Sequence, residues 1–344
     1  MRKWPWPASW VTCLLVDRGL VKSERFLGQH SHAARGAGSA SLTTVLIAFA
    51  ANLLVAVAKS VAAVVTGSAS LLAEAAHSWA DTGNEVFLLI AFRRSRRPPD
   101  RAHPLGHGRE AYVWSLLAAL GLFVVGAAFS VTHGVHELMH PTPATDYVVG
   151  YVVLAVSFVL EGISFLRSAR QARSAAEFLE RDLIGAVMAT SDPTLRAVFA
   201  EDSAALIGLV IAAVSLGAHQ LTGSSTPDAV GSILVGVLLA AIATVLIDRN
   251  REFLIGEEAD LRVRAAAIRA LLAEPEVARV TYLRLEVVGP RLVSVVGDVD
   301  LTGDDTESNV AVRLRALEAK LDASPVVAGA VLSLSAPDEP SLTE

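Results

Sequence analysis

The chain has 344 residues, of which 53% are hydrophobic and only 19% charged, and its mean hydropathy is +0.48. A soluble domain carries about 25% charge and about 45–50% apolar residues, so this excess, gathered in long runs, points to a bilayer as the solvent. The single cysteine, Cys13, excludes an internal disulfide framework or a cysteine-built zinc site, and the net charge of −6 matters less than where the positive charges fall.

Residues 1–41 read as a cytoplasmic tail: the apolar run Trp10–Val16 is too short to span, and Gly36–Ser41 is a flexible lead. Six apolar stretches of about 20 residues follow, each long enough to cross a hydrocarbon core of about 30 Å as a helix. They are Thr43–Thr66, Ser70–Phe92, Tyr112–Val135, Tyr147–Arg167, Leu195–Gln220 and Asp228–Asp248, within a transmembrane domain over 42–249. The links Gly67–Ala69, Glu137–Asp146 and Leu221–Pro227 contain no Lys or Arg. The alternate links are basic, with Arg93, Arg94, Arg96, Arg97, Arg101 and Arg109 in one and Arg170, Arg173 and Arg181 in the next. The positive-inside bias places both basic loops and both termini in the cytoplasm.

After Asp248 the pattern changes. Glu257–Ala273 is amphipathic, Val277–Val288 and Leu292–Leu301 alternate as strands about a Gly289–Pro290 turn, Thr306–Leu321 is a second helix and Val326–Leu334 a last strand. An α-β-β-α-β order predicts a small two-layer cytoplasmic domain over 250–335, with three strands and two helices, followed by a tail over 336–344. The fold class is therefore an all-α membrane bundle of six helices joined to a small α+β domain.

Ionisable groups inside a bilayer are costly and mark pathways, pairs or coupling sites. The second helix carries Glu74, His77, Asp81 and Glu85 at spacings of 3, 4 and 4, within one narrow arc. His77 and Asp81 together are half of a tetrahedral zinc shell, so the other half must come from another helix. The fifth helix offers Glu201 and Asp202. At 1.5 Å per residue, Asp202 lies ~11 Å from one face and Asp81 ~16 Å from the other, depths that agree near the midplane. The bland alternative is a packing pair between His77 and one of these acids. Helix one adds Lys59, expected to pair with Glu74 near the outer surface. It also adds Asn52, read as a helix–helix hydrogen bond in preference to a neutral oxygen donor near the metal.

Two further motifs carry ligand chemistry. His136-Glu137-Leu138-Met139-His140 matches H-E-x-x-H, the zinc-protease helix pattern, and an intramembrane metalloprotease is the alternative from a different class. Against it, Pro141 and Pro143 stop the helix at once and His77 and Asp81 would go unexplained. In the loop after helix two, Asp100, His103 and His107 form a D-x-x-H-x-x-x-H cluster with mixed nitrogen and oxygen ligands suited to zinc.

These stretches, Thr66-Gly67-Ser68 leading to Leu71-Leu72-Ala73-Glu74-Ala75-Ala76-His77-Ser78-Trp79-Ala80-Asp81 and His103-Pro104-Leu105-Gly106-His107-Gly108-Arg109, resemble the cation diffusion facilitator family of zinc and divalent-cation efflux transporters. The resemblance covers roughly Ser41 to Leu334. It implies a homodimer, a ferredoxin-like cytoplasmic domain, metal/proton antiport from a site on helices two and five, and a second metal site at Asp100, His103 and His107. Two departures stand out. The family's fifth helix commonly carries an acid or histidine four residues before the aspartate, but here that position is Val198, with Glu201 the substitute about 60° round the helix. And no histidine or cysteine follows His219, so a cytoplasmic-domain metal site of those ligands cannot be built and that domain is expected to dimerise.

The expectation is a non-enzymatic, multi-pass transporter with no prosthetic group and no nucleic-acid partner. Its partners are the bilayer, metal ions and protons, and Ala- and Arg-rich usage points to a bacterial plasma membrane. The cargo is zinc first, because a histidine in the shell favours it over manganese, with Mn, Co, Ni, Cd or Fe(II) as alternatives. A binding protein that senses or chaperones metal without flux is the remaining rival.

Overall fold

The computed structural model describes residues 49–50, 52–142 and 145–342. The expectations for the N-terminal tail, for Cys13 and for the first part of helix one fall outside the described residues. What is described divides into two compact units: the helices up to Ser95 together with Glu110–Leu254, and residues Arg96–Arg109 together with Ile255 onward.

In the helical unit, α1 covers Asn52–Thr66, α2 Ala69–Ser95, α3 Glu110–Met139, α4 Tyr147–Leu179, α5 Leu183–Ala189, α6 Pro193–Thr222 and α7 Thr226–Ile255. Among the described residues, four helices are long and apolar enough to cross a membrane: α3, the first 28 residues of α4, α6 and α7. With 27 residues, α2 is about 40 Å long, and it is its buried acids and histidine that set it apart from those four.

Helix ends follow local chemistry. Asp192 accepts hydrogen bonds from the Thr194 and Leu195 amides, and Pro193 stands at the first helical position of α6, where its missing N–H costs nothing. The start of α2 is capped from another helix: the Asp228 carboxylate of α7 accepts from Ala69 N (2.6 Å), Ser68 Oγ (2.9 Å) and Ser70 Oγ. Two boundaries depart from expectation. The fourth helix runs twelve residues past Arg167, because the Ser/Ala/Arg/Glu segment that follows is rich in good helix formers, so Arg170 and Arg173 lie on α4 and not in a loop. The short α5, capped by Asp182, occupies what had read as a link. Inside α3, residues Leu122–Ala128 widen into a π-helical segment.

The helices pack through small residues, which let backbones approach closely where the solvent supplies no hydrophobic drive. Ala73, Ala80, Leu122, Ala127, Ala204, Val235, Leu239 and Ala243 form one core joining α2, α3, α6 and α7. Ala63, Leu71, Leu154, Leu209, Ala212 and Leu216 join α1, α2, α4 and α6. The α3–α7 contact is a close one. A Cβ on Gly236 would lie 2.7 Å from Val131 Cγ2 and 2.9 Å from the Ala127 carbonyl oxygen, and one on Gly134 would lie 2.8 Å from the Ala229 carbonyl oxygen. Gly236→Ala is therefore expected to lower thermal stability in detergent by about 1–3 kcal/mol through overpacking. Gly121→Ala, where nothing lies within 4 Å, is expected to be neutral or to stabilise by up to ~1 kcal/mol through helix propensity. Equal behaviour of the two variants in a melting experiment would count against the packing argument.

In the second unit α8 (Leu261–Leu272), β1 (Val277–Gly289), β2 (Leu292–Leu301), α9 (Glu307–Asp322) and β3 (Val327–Leu334) follow in that order. The three strands form one sheet, β1-β2-β3, antiparallel between β1 and β2 and parallel between β2 and β3. Arg291 turns the hairpin with φ of +59°. The first helix starts four residues later than its periodicity predicts. Residues 257–259 run along β1 instead, with Val287 N donating to Glu257 O (2.9 Å) and Ala259 N to Leu285 O (2.8 Å), and Asp260 then caps α8.

Candidate metal centre

The polar row of α2 is buried as its arc requires. Glu74 and His77 have no exposed surface, and the Asp81 side chain is 16% exposed. Each member meets a different neighbour. Lys59 Nζ of α1 donates to Glu74 Oε2 at 3.1 Å with both side chains fully enclosed, the ion pair expected from their matching depths. Asn52 Nδ2 donates to Glu85 Oε1 at 2.6 Å, so Asn52 is a helix–helix hydrogen bond. His77 Nδ1 lies 3.4 Å from Asp81 Oδ1.

The acids of α6, Glu201 and Asp202, are held from two sides. Asn84 Nδ2 of α2 donates to Glu201 Oε1. Ser164 Oγ and Ser168 Oγ of α4 donate to Asp202 Oδ2 at 3.0 and 3.1 Å. Asp81, Glu85, Glu161, Glu201, Asp202 and Val198 line one cavity together with Asn52, Ser78 and Ser164. His77 is not among the residues that line it and reaches it only through Asp81. Glu161 of α4 is a cavity-lining acid that the sequence reading passes over. Its signal is there, an acid inside an otherwise apolar stretch, but it lacks the i, i+4 partner that marks His77 and Asp81.

Several of these groups are buried without a hydrogen-bond partner: both ring nitrogens of His77, Ser78 Oγ, Asp81 Oδ1, Glu85 Oε2 and Glu74 Oε1. Such groups each cost free energy in an apolar interior unless water or an ion meets them. Neutral imidazole nitrogen and carboxylate oxygen are the donors that zinc and neighbouring divalent cations take, so the donor set fits a cation in transit. Of the four expected ligands, Asp81, Glu201 and Asp202 line one cavity and His77 lies beside Asp81, but the four are not drawn to a single point.

The loop cluster is tighter. Among the described residues, Asp100, His103 and His107 form the group whose ligand atoms all lie within 4.8 Å of one another. Asp100 is the hub: Oδ1 accepts from the Ala102 and His103 amides (both 2.8 Å) and lies 3.1 Å from His103 Nδ1, while Oδ2 lies 3.1 Å from His107 Nε2. The His103 amide above all, and then both imidazoles, hold the Asp100 carboxyl down at about 2, below the usual aspartate value. Gly108 anchors the loop's end, where a Cβ would meet Val288 O at 2.4 Å, and Arg109 pairs with Glu286.

The H-E-x-x-H motif is arranged otherwise than a protease needs. Glu137 Oε1 accepts from the Thr142 amide and hydroxyl, both at 2.6 Å, so its carboxylate closes the end of α3. The His136 and His140 rings stack at 4.6 Å and face outward.

Known proteins place the chain. Residues 45–254 match the family model described as the cation efflux transmembrane domain. The chain is 35% identical to metal tolerance protein C4 of Arabidopsis thaliana over 239 residues, 70% of this chain and 52% of that protein. It is 36% identical over 259 residues to the mitochondrial proton-coupled zinc antiporter SLC30A9 of Xenopus laevis, 75% of this chain and 46% of that protein. A shorter stretch of 95 residues, 27% of this chain and 31% of that protein, is 37% identical to the cation-efflux pump FieF of Escherichia coli. The chain spans about half the length of the first two of these relatives. Members of the matched family are transporters and not enzymes, which sets aside the metalloprotease reading of His136–His140. With the family model matched over 45–254, more than half of the sequence, the chain belongs to the cation efflux, or cation diffusion facilitator, family of membrane transporters.

Proposed function

We propose that this protein exports zinc from the cytoplasm in exchange for protons, with the metal held between α2 and α6 by His77, Asp81, Asp202 and Glu201. One observation carries the reading: a cavity between helices lined by carboxylates, in which Asp81 Oδ1 and Glu85 Oε2 are buried without a hydrogen-bond partner, with His77 beside Asp81. Binding a divalent cation requires neutral imidazole and ionised carboxylate, so loading releases protons and protonation expels the metal, which is the chemistry of an antiporter. The imidazole favours zinc over the all-oxygen preference of manganese, and the Xenopus laevis relative, a proton-coupled zinc antiporter by name, points to the same ion and the same coupling.

The same reading completes the assembly. Six helices span the bilayer, α1 and α2 joining the four strongly apolar ones. Both termini are cytoplasmic, and the three-stranded unit is a ferredoxin-like module that pairs two copies of the chain. Asp100, His103 and His107 hold a second, peripheral zinc.

Uptake of a panel of divalent metals into proteoliposomes under a pH gradient tests this, with wild type beside Asp81→Ala. The expected result is zinc flux that collapses with the gradient and is absent in Asp81→Ala. Flux of another metal in preference to zinc would reassign the cargo. Saturable binding without flux of any metal would favour a sensor.

A further inference from the structure

We propose that Glu161 of α4 supplies a cargo carboxylate, taking the place of the ligand that α6 lacks at Val198. The inference rests on the reading of the α2–α6 cavity as the cargo site and adds a third helix to it.

Four observations meet here. First, Val198 lines the cavity with an apolar face, so the wall of α6 is one ligand short where it stands. Second, Glu201 is a constrained substitute, because its Oε1 already accepts from Asn84. Third, Glu161, Ser164 and Ser168 fall at spacings of 3 and 4, one stripe along α4. Both serines of that stripe donate to Asp202, so the stripe faces α6, and Glu161 one turn away lines the same cavity. Fourth, Ser78 lines this cavity while only 3% exposed, and its Oγ has no hydrogen-bond partner. A buried hydroxyl aimed without a partner into an acid-lined space marks that space as one a polar occupant fills.

A divalent cation there draws on one imidazole from α2 and on carboxylates from α2, α4 and α6. Glu161 remains half-buried, open enough to meet a cation that is shedding its water. Two serines hold Asp202 from α4, so the helix already positions one ligand and carries a second on the same face. A shell richer in oxygen than one built from two helices also accepts harder divalent ions more readily.

The test is zinc affinity of the purified full-length chain by competition with a chelating dye, in an Asp100→Ala background so that the loop cluster does not contribute. Glu161→Gln is expected to weaken binding by about ten-fold or more, the scale on which metal sites respond to a lost oxygen partner. The Glu161→Gln/Val198→Asp double variant is expected to recover most of that loss, because it returns a carboxylate to α6; a purely structural Glu161 could not be rescued in this way. Glu161→Gln binding within about two-fold of its parent, or a double variant as weak as the single, would overturn the assignment. Asp81→Ala measured alongside separates the two readings. If it abolishes binding while Glu161→Gln does not, the α2–α6 site stands and the α4 ligand falls; if it leaves binding intact, both fall.

Discussion

Exchange of Asp202 for Asn is expected to bring zinc flux to the level of empty vesicles while leaving the protein folded. The side chain keeps its shape and an amide oxygen still accepts from Ser164 and Ser168, so the contact between α4 and α6 survives. What disappears is the charge. An amide oxygen is a poor substitute for a carboxylate on zinc, and the ligand can no longer exchange a proton for a metal ion. Metal affinity should fall by at least the ~10–100-fold that loss of a mere supporting group brings. Asp202→Ala should be worse in a second way, because it also removes the acceptor of the half-buried Ser164 hydroxyl, at up to about 1–3 kcal/mol, while Ser168 Oγ keeps the Phe165 carbonyl. The pair of variants separates chemistry from folding: flux lost in both with stability lowered only in Ala assigns Asp202 to the cargo. Wild-type flux in Asp202→Asn would remove it from the ligand set.

The legible parts of the site were those where sequence spacing alone fixes geometry. His77 and Asp81 are four apart on one helix, and Asp100, His103 and His107 sit within eight residues of chain, so no long-range information is needed to bring either group together. The Lys59–Glu74 pair was legible for a related reason. Two opposite charges at matching depth in a bilayer have few other ways to be neutralised. Glu161 was hidden because its meaning depends on how α4 rotates against α6, and rotation is set by the packing of Ala169, Ala172, Val187 and Phe199, not by anything periodic in residues 147–167. The same holds for Asn84, an ordinary polar residue on α2 until Glu201 is brought against it. The Asp228 cap on α2 was hidden too, since it joins residues about 160 positions apart.

Fold boundaries show a similar division. The sheet strands were readable from alternation and the Gly289–Pro290 turn. The end of α4 was not, because Arg167 ends the strongly apolar stretch while the backbone continues as a helix to Leu179. The π-helical segment of α3 has no signature in Leu122–Ala128, since a shifted hydrogen-bond register requires no particular side chain.

Lys59→Met is expected to cost about 3–5 kcal/mol of stability, the range found when one partner of a buried ion pair is removed. The reason is Glu74, which is wholly enclosed. Its Oε2 loses the Lys59 ammonium at 3.1 Å, and its Oε1 already lacks a hydrogen-bond partner, in a space so tight that a Cβ on Gly208 would lie 2.3 Å from it. An unpaired carboxylate there can neither reach water nor relax. Lys59→Met/Glu74→Gln removes both charges, and since a buried pair often breaks even against neutral groups of similar size, most of the stability should return. Thermal unfolding in detergent measures this, and a double variant no more stable than Lys59→Met would show that the two charges are not coupled. Flux in the same double variant then decides what the pair is for. Glu74 lies one turn from His77 on the same face of α2, so the Lys59 charge stands close beneath the proposed cargo path. Recovery of both stability and flux assigns the pair to holding α1 against α2. Recovery of stability without flux assigns it to the field that a dication and its counter-moving protons experience as they pass His77 and Asp81.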